Sequence, residues 1–382
     1  MKKKTCRWLD SNLWGGIQIL DDAIYPCCGP GKPFFKEKNL DYSKISIDEL
    51  IAKRKELQEQ INEGTACQGC EELVEKEESN IDVGKISYLS IGLFSTCNLR
   101  CKYCYFTHEE LSDKLTPDRT HLLPFVKRLA EKDFLKENFS MGVAGGEPTL
   151  LEDIPETLKY LEEHYKNPSA IFLSNSSITQ KVNKYIKDLK NNKVPLKLYT
   201  SVDAGCSKTF KLIRGKDLFK NVSKNLINYA KNNIFKVITL KYILMFDHSN
   251  TSDKDIFGFL ELFSKVMLFQ KEKTAMTIDC DMNCNKPFDE EMIIAAGKLY
   301  YAAKEIFEIE VVFSGGGLVH NTKQGRERID LIEQFAHNYK PKGLYDKFAF
   351  FKLKTYCLLI TLRKIFNKYN HITKLLKIIY FQ

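Results

Sequence analysis

The chain has 382 residues, of which 43% are hydrophobic and 28% charged, enough to bury a large core and too apolar for a disordered polymer. Its formal charge of +9 is concentrated in one place: residues 338–382 hold ten of the 58 basic residues and one of the 49 acids, Asp346, which leaves 48 of each sign elsewhere. A neutral body excludes the electrostatic footprint of a nucleic-acid binder, and the absence of any run of ~18 apolar residues or of a leader-like start places the expected location in the cytoplasm.

In chain order, Gly16 to Leu20 and Ala23 to Pro26 flank Asp21-Asp22, which predicts a hairpin. A helix is expected from Ser46, which forms a capping-box pattern with Glu49, until Gly64, just before Cys67 and Cys70. The polar run Glu75 to Asn80 reads as a solvated linker. From Lys85 to Phe307, strand-like and helix-like patterns alternate. The expected strands are Ile86–Phe94, Met141–Ala144, Ala170–Ser174, Leu196–Asp203, Lys236–Met245 and Thr274–Met282. The expected helices are Pro117–Lys132, Ile154–Tyr165, Lys220–Lys231, Lys254–Phe269 and Asp289–Phe307. Alternation of this kind predicts a parallel sheet with crossover helices, an α/β fold of open (β/α)6 partial-barrel type, with chemistry at the strand ends.

The period of two along a strand assigns faces. Met276, Ile278, Cys280 and Met282 form an apolar face, so Thr277, Asp279 and Asp281 point into the lumen. Lys197, Tyr199, Ser201 and Asp203 share one face of an earlier strand, and Thr239 and Lys241 one face of the next. A lumen lined with charge implies a polar substrate, with Lys241, Asp279, Asp281 and Tyr199 as candidate substrate-facing groups; internal Lys–Asp pairing that only neutralises buried charge is the alternative.

Twelve cysteines in a chain expected in a reducing compartment point to metal or catalysis rather than disulfides. Cys97, Cys101 and Cys104 follow the first barrel strand in the segment Ser95-Thr96-Cys97-Asn98-Leu99-Arg100-Cys101-Lys102-Tyr103-Cys104-Tyr105. Three thiolates at Cys-x3-Cys-x2-Cys spacing can hold three corners of an iron–sulfur cube and leave the fourth iron open. A three-cysteine zinc site completed by His108 is the competing reading.

This loop, with an aromatic residue before its last cysteine, resembles the radical S-adenosylmethionine superfamily. The resemblance extends to Gly145-Gly146-Glu147-Pro148, to Leu173-Ser174-Asn175-Ser176, where Ser176 stands in place of the usual glycine, to Ser201-Val202-Asp203 and to Arg214-Gly215. It implies a 4Fe-4S cluster that cleaves S-adenosylmethionine to a 5′-deoxyadenosyl radical, with Tyr103, Gly145, Gly146, Glu147, Ser174, Asn175, Ser201, Asp203 and Arg214 around the cofactor. It also implies a one-electron reductant such as flavodoxin or ferredoxin.

Cys6, Cys27, Cys67 and Cys70, with Cys28 as a spare, look like part of the superfamily's SPASM auxiliary-cluster module, here placed before the barrel instead of after it. That resemblance implies a second 4Fe-4S cluster; a structural zinc on the same thiols is the alternative. Cys280 and Cys284 are a tempting further pair, although Cys280 falls on the apolar face, and Cys206 and Cys357 have no assignment. The stretch Phe348 to Gln382 is basic and amphipathic, suited either to an anionic membrane surface or to docking on the barrel. The expected organisation is an auxiliary module at 1–80, a barrel at 85–313 and an extension at 314–382. The function expected is hydrogen abstraction from a peptide or saccharide; a non-catalytic zinc-binding adaptor with a partner-docking tail is the rival.

Overall fold

Parallel strand pairing organises the molecule. The computed structural model describes residues 1–20, 23–27, 32–37, 40–70, 72–92, 97–104, 122–151, 153–178, 194–281, 289–314, 330, 333–334, 337–341, 343–355 and 357–358. The turn at Asp21-Asp22, Cys28, Phe94, Ser95, Thr96, Tyr105, His108, the start of the first expected barrel helix before Leu122, Met282, Cys284 and the tail beyond 358 lie outside the described residues.

The six expected barrel strands are present as β6 (Ile86–Gly92), β7 (Leu135–Val143), β8 (Ser169–Leu173), β9 (Leu196–Ser201), β10 (Val237–Leu244) and β11 (Thr274–Cys280). They pair in sequence order and in parallel. The helices α2 (Leu122–Glu131), α3 (Ile154–His164), α4 (Ser207–Arg214), α5 (Phe219–Lys231), α6 (Asp253–Gln270) and α7 (Glu290–Tyr301) lie between successive strands or follow the last. Strand β7 begins six residues earlier than expected, because a register shift between Ile86 and Tyr88 lets the polar stretch from Leu135 join the ladder.

Four strands extend the expected six-strand ladder. On one side β12 (Val311–Ser314) adds in parallel to β11. Its apolar core, Val311-Val312-Phe313, is too short for periodicity to distinguish. On the other side β2 (Gly16–Leu20) pairs in parallel with β6, and the hairpin with β3 (Ala23–Tyr25), followed by β4 (Phe35–Lys36), carries the sheet to ten strands among the described residues. Ile17, Ile19, Ile24, Leu40 and Tyr42 pack in the same buried cluster as the barrel strands. The ladder therefore runs straight through the boundary expected near residue 80.

Helix α1 (Ile47–Glu63) follows the expected caps: the Ser46 side chain accepts from the Glu49 N–H at 3.2 Å, and Gly64 closes the helix at φ +71°. From its middle the fully buried Arg54 donates to the carbonyls of Gly16, Leu9, Val83 and Lys85, tying the N-terminal segment to the first barrel strand. Burial lowers the Arg54 pKa to about 10, partly offset by Asp82, Cys6 and Asp10.

The expected linker at 75–80 is overturned in its first half. Leu73–Glu77 forms β5, antiparallel to β1 (Lys2–Cys6), with Lys2 opposite Glu77 and Lys4 opposite Glu75. The charges that suggest a solvated linker are cross-strand partners on an exposed ribbon. Lys76 reaches back 2.6 Å to the fully buried Asp10.

No helix among the described residues is long and apolar enough to cross a membrane.

Candidate active site

The cysteine loop is held from below by the barrel. The N–H of Arg100 donates to the Arg214 carbonyl at 3.1 Å and that of Lys102 to the Ile213 carbonyl at 2.9 Å, so the loop lies against the last turn of α4. Gly215, at φ +79°, permits this: a Cβ there would meet the Arg100 carbonyl oxygen at 2.8 Å. Lys102 adds an ion pair to Asp247 at 2.7 Å.

Cys97, Cys101 and Cys104 lie close together, and Cys104 disfavours the thiolate of each of the other two. Burial pushes the Cys101 pKa up to about 11, with Arg214 opposing and Cys104, Asp203 and Cys97 adding to it. Burial also raises Cys97, while the Leu99 N–H, which donates to its sulfur at 3.4 Å, pulls the other way. Asn175 Nδ2 approaches the same sulfur at 3.7 Å and donates to Asn98 Oδ1 at 2.8 Å. No three His, Cys, Asp or Glu side chains among the described residues surround a point where a single metal ion could sit. A cubane places its thiolates on different irons, and N–H donors onto sulfur favour the thiolate form, so the donor set suits a cluster.

Beneath the loop, Tyr103, Asp203 and Arg214 form one buried knot. The Tyr103 hydroxyl donates to Asp203 Oδ2, Arg214 donates to both, at 3.1 Å to the carboxylate, and the guanidinium stacks 5.6 Å from the Tyr103 ring centre. Burial, with added repulsion from Asp279, pushes Asp203 up to about 8 against the Ile243 N–H and Lys241. Arg214 Nε is buried with no hydrogen-bond partner among the described residues, which leaves one donor for an acceptor from outside the chain.

The Gly-Gly-Glu-Pro turn leaves β7 through Gly145 at φ +103°, a conformation that a side chain opposes. Glu147 is buried and accepts from the Thr149 N–H and hydroxyl, the Ser174 hydroxyl and the Asn175 N–H. Both of its carboxylate oxygens are engaged by the protein. The structure thus gives Glu147 the task of positioning Ser174 and Asn175, and Asn175 in turn steadies the cysteine loop. Gly146 lies in the same turn, and Ser201 ends β9 opposite Lys241.

The lumen residues converge as well. Lys241 pairs with Asp279 and sits 5.9 Å from the Tyr199 ring centre, and a hydrogen bond links Tyr199 to Thr277. Burial works against the Lys241 charge, but Asp279, Tyr199 and Asp203 outweigh it and hold its pKa above the ordinary value. Asp281 lies just past β11, its N–H donating to the Leu244 carbonyl. Leu173, in register with Tyr199, and Val312, in register with Thr277, remain exposed on the same face.

Residues that the sequence does not single out complete the frame. Asn250 is fully buried, donates to the Asp203 and Ile243 carbonyls and accepts from the Met245 N–H. It stands in a polar run that reads as an ordinary turn, so no local signal marks it. Asn98 is equally unmarked, although it lies between two of the cysteines and reaches Ser177 at 2.7 Å.

The four remaining candidate thiols gather at the other end of the N-terminal segment. Burial, with smaller contributions from Cys27 and Cys70, raises Cys6 to about 12 against the N–H groups of Trp8 and Leu9; burial likewise raises Cys67, again with Cys70 and Cys27. Cys280 is buried in the main core, as its apolar face predicts. Cys206 sits beside Thr209 and Asp255, and Cys357 packs against the core.

The sequence profile of the Radical SAM superfamily matches residues 91–260. An S-adenosylmethionine-dependent nucleotide dehydratase of Lacinutrix mariniflava is 30% identical over 134 residues, 34% of this chain and 24% of that protein. A GTP 3′,8-cyclase of Aliarcobacter butzleri is 25% identical over 151 residues, 38% of this chain and 44% of that protein. The chain thus spans under half the length of these curated relatives. Among solved structures, Streptococcus suis SuiB bound to its precursor peptide SuiA aligns at a TM-score of 0.44 and 14% identity, over 74% of this chain and 57% of that one.

Proposed function

We propose, from the match of residues 91–260 to the Radical SAM superfamily profile, that this chain is a radical S-adenosylmethionine enzyme that abstracts hydrogen from a polar substrate held in the lumen. When bound, the cluster and S-adenosylmethionine supply one-electron cleavage of a sulfonium and a carbon radical able to take hydrogen from an unactivated C–H bond. In this reading Cys97, Cys101 and Cys104 hold the cluster. Tyr103, Gly145, Gly146, Ser174, Asn175, Ser201, Asp203 and Arg214 frame the S-adenosylmethionine site, with Glu147 orienting two of them.

Tyr199, Lys241, Asp279 and Asp281 would orient the substrate. The observation that carries the proposal is the convergence, at one set of strand ends, of the three-thiol loop with this polar lumen. Lys241 is already neutralised by Asp279. A near-neutral polar group such as a peptide or saccharide therefore fits better than the triphosphate of the GTP-using relatives, which would require several unpaired cations. A cytoplasmic reductant such as flavodoxin or ferredoxin would supply the electron. The segments 1–80, 85–313 and 314–382 would act as auxiliary-cluster module, radical domain and extension.

Anaerobically reconstituted protein given dithionite and S-adenosylmethionine should release 5′-deoxyadenosine slowly without substrate, and Cys101→Ala should abolish the release. Unchanged release by that variant would overturn the assignment of these cysteines to the cluster, and a parent that binds zinc without iron and releases nothing would leave a zinc-binding adaptor as the better reading.

A further inference from the structure

The helix over 344–355, here α8, continued by 357–358, packs lengthwise on the barrel. Phe350 inserts between Phe257 of α6 and Tyr301 of α7, with ring centres 5.0 and 4.9 Å away. Asp346 is bound by Lys298 at 3.0 Å and by the Tyr339 hydroxyl at 2.8 Å. Leu353 is buried beside them. Docking on the barrel thus accounts for one side of the helix.

Among the described residues nothing covers the other side. Leu344, Phe348, Phe351 and Leu358 are 89%, 69%, 67% and 59% exposed. At 3.6 residues per turn these four fall, with Thr355, within a sector about 80° wide, opposite Asp346, Phe350 and Leu353. Lys352 flanks the stripe on one side and Lys347 and Lys354 on the other, all three exposed. The helix's single acid faces inward and is already paired, so its outer surface carries positive charge alone.

We propose that this stripe docks the protein on the surface of a bilayer containing anionic lipid, with the apolar row among the acyl chains and the flanking lysines at the headgroups. Charge selects this occupant. A second copy would bring like-charged lysine rows together with no exposed acid on α8 to meet them. The neutral body neither assists nor opposes, so the whole electrostatic pull comes from this end of the sequence. The proposal is independent of the chemistry in the lumen.

The test is co-sedimentation of the full chain with phosphatidylcholine vesicles, with and without phosphatidylglycerol. Binding should require phosphatidylglycerol and weaken as salt rises. Phe348→Ser with Phe351→Ser should remove it, and Lys347→Gln, Lys352→Gln and Lys354→Gln together should weaken it roughly a hundredfold, about fivefold per lysine. Unfolding midpoints of the variants should match the parent, since the altered side chains touch solvent. Failure to bind, equal binding to both vesicles, or parental binding by the phenylalanine variant would overturn the proposal. A midpoint lowered by that variant, or a dimer abolished by it, would assign the stripe to packing or to a second copy instead.

Discussion

At Ser176 the backbone takes φ +58°, the left-handed region that glycine enters freely and other residues reach at a cost of roughly 1–2 kcal/mol. Hydrogen bonds offset part of this. The backbone N–H of Ser176 donates to the Ser174 hydroxyl at 3.0 Å and its backbone carbonyl accepts from Asn225 at 2.8 Å, while its side-chain hydroxyl meets Thr200 at 3.2 Å. Ser176, where the resemblance implies a glycine, therefore keeps the glycine conformation. Ser176→Gly should alter stability by no more than about 1 kcal/mol, relief of strain balancing the lost hydroxyl and added chain entropy. Ser176→Val, whose branched Cβ tolerates that φ poorly, should cost about 2–3 kcal/mol. Denaturant melts of the two variants decide the point, and similar losses for both would show that the hydroxyl rather than the backbone governs this strand end.

Elements differ in how much of them a local reading captures. Helix α1 is bounded by its own residues, Ser46 and Gly64, and both ends fall where those residues predict. The ribbon β1–β5 is not local: its partners lie about seventy positions apart, and polarity alone disguises the second strand as a linker. Helix α8 combines two surfaces that a sequence pattern presents as alternatives. Phe350→Ala should destabilise the protein by about 3–5 kcal/mol, because the ring fills the space between Phe257 and Tyr301. Phe348→Ser, two residues away but facing solvent, should change stability by less than about 0.5 kcal/mol. Thermal and denaturant unfolding should separate the two, and comparable effects would show that the face assignment is wrong.

At the scale of the whole molecule, the N-terminal segment is part of the barrel's sheet and also carries four mutually interacting thiols. If both thiol sets hold cubanes, reconstituted protein should contain about eight irons per chain, falling to about four in the Cys67→Ala, Cys70→Ala variant. Metal analysis that instead returns about four irons and one zinc in the parent would make the N-terminal site structural. Deleting residues 1–80 is not an equivalent experiment, since it would strip β2 from β6 and remove Ile17, Ile19 and Ile24 from the common core.

Cysteine spacing, the strand-end motifs, the alternation of periods, the caps of α1 and the charge imbalance of the last residues are all properties of short stretches, and the sequence by itself determined them. Each depends on neighbours within a few positions, which is where steric and capping rules act. Only the tertiary structure decided the addition of β2 and β12 to the ladder, the pairing of β1 with β5, the Arg54 clamp, the engagement of both Glu147 oxygens and the pairing of Lys241 with Asp279. Those features join positions tens of residues apart, and a buried polar group takes whichever partner the packed chain brings within reach.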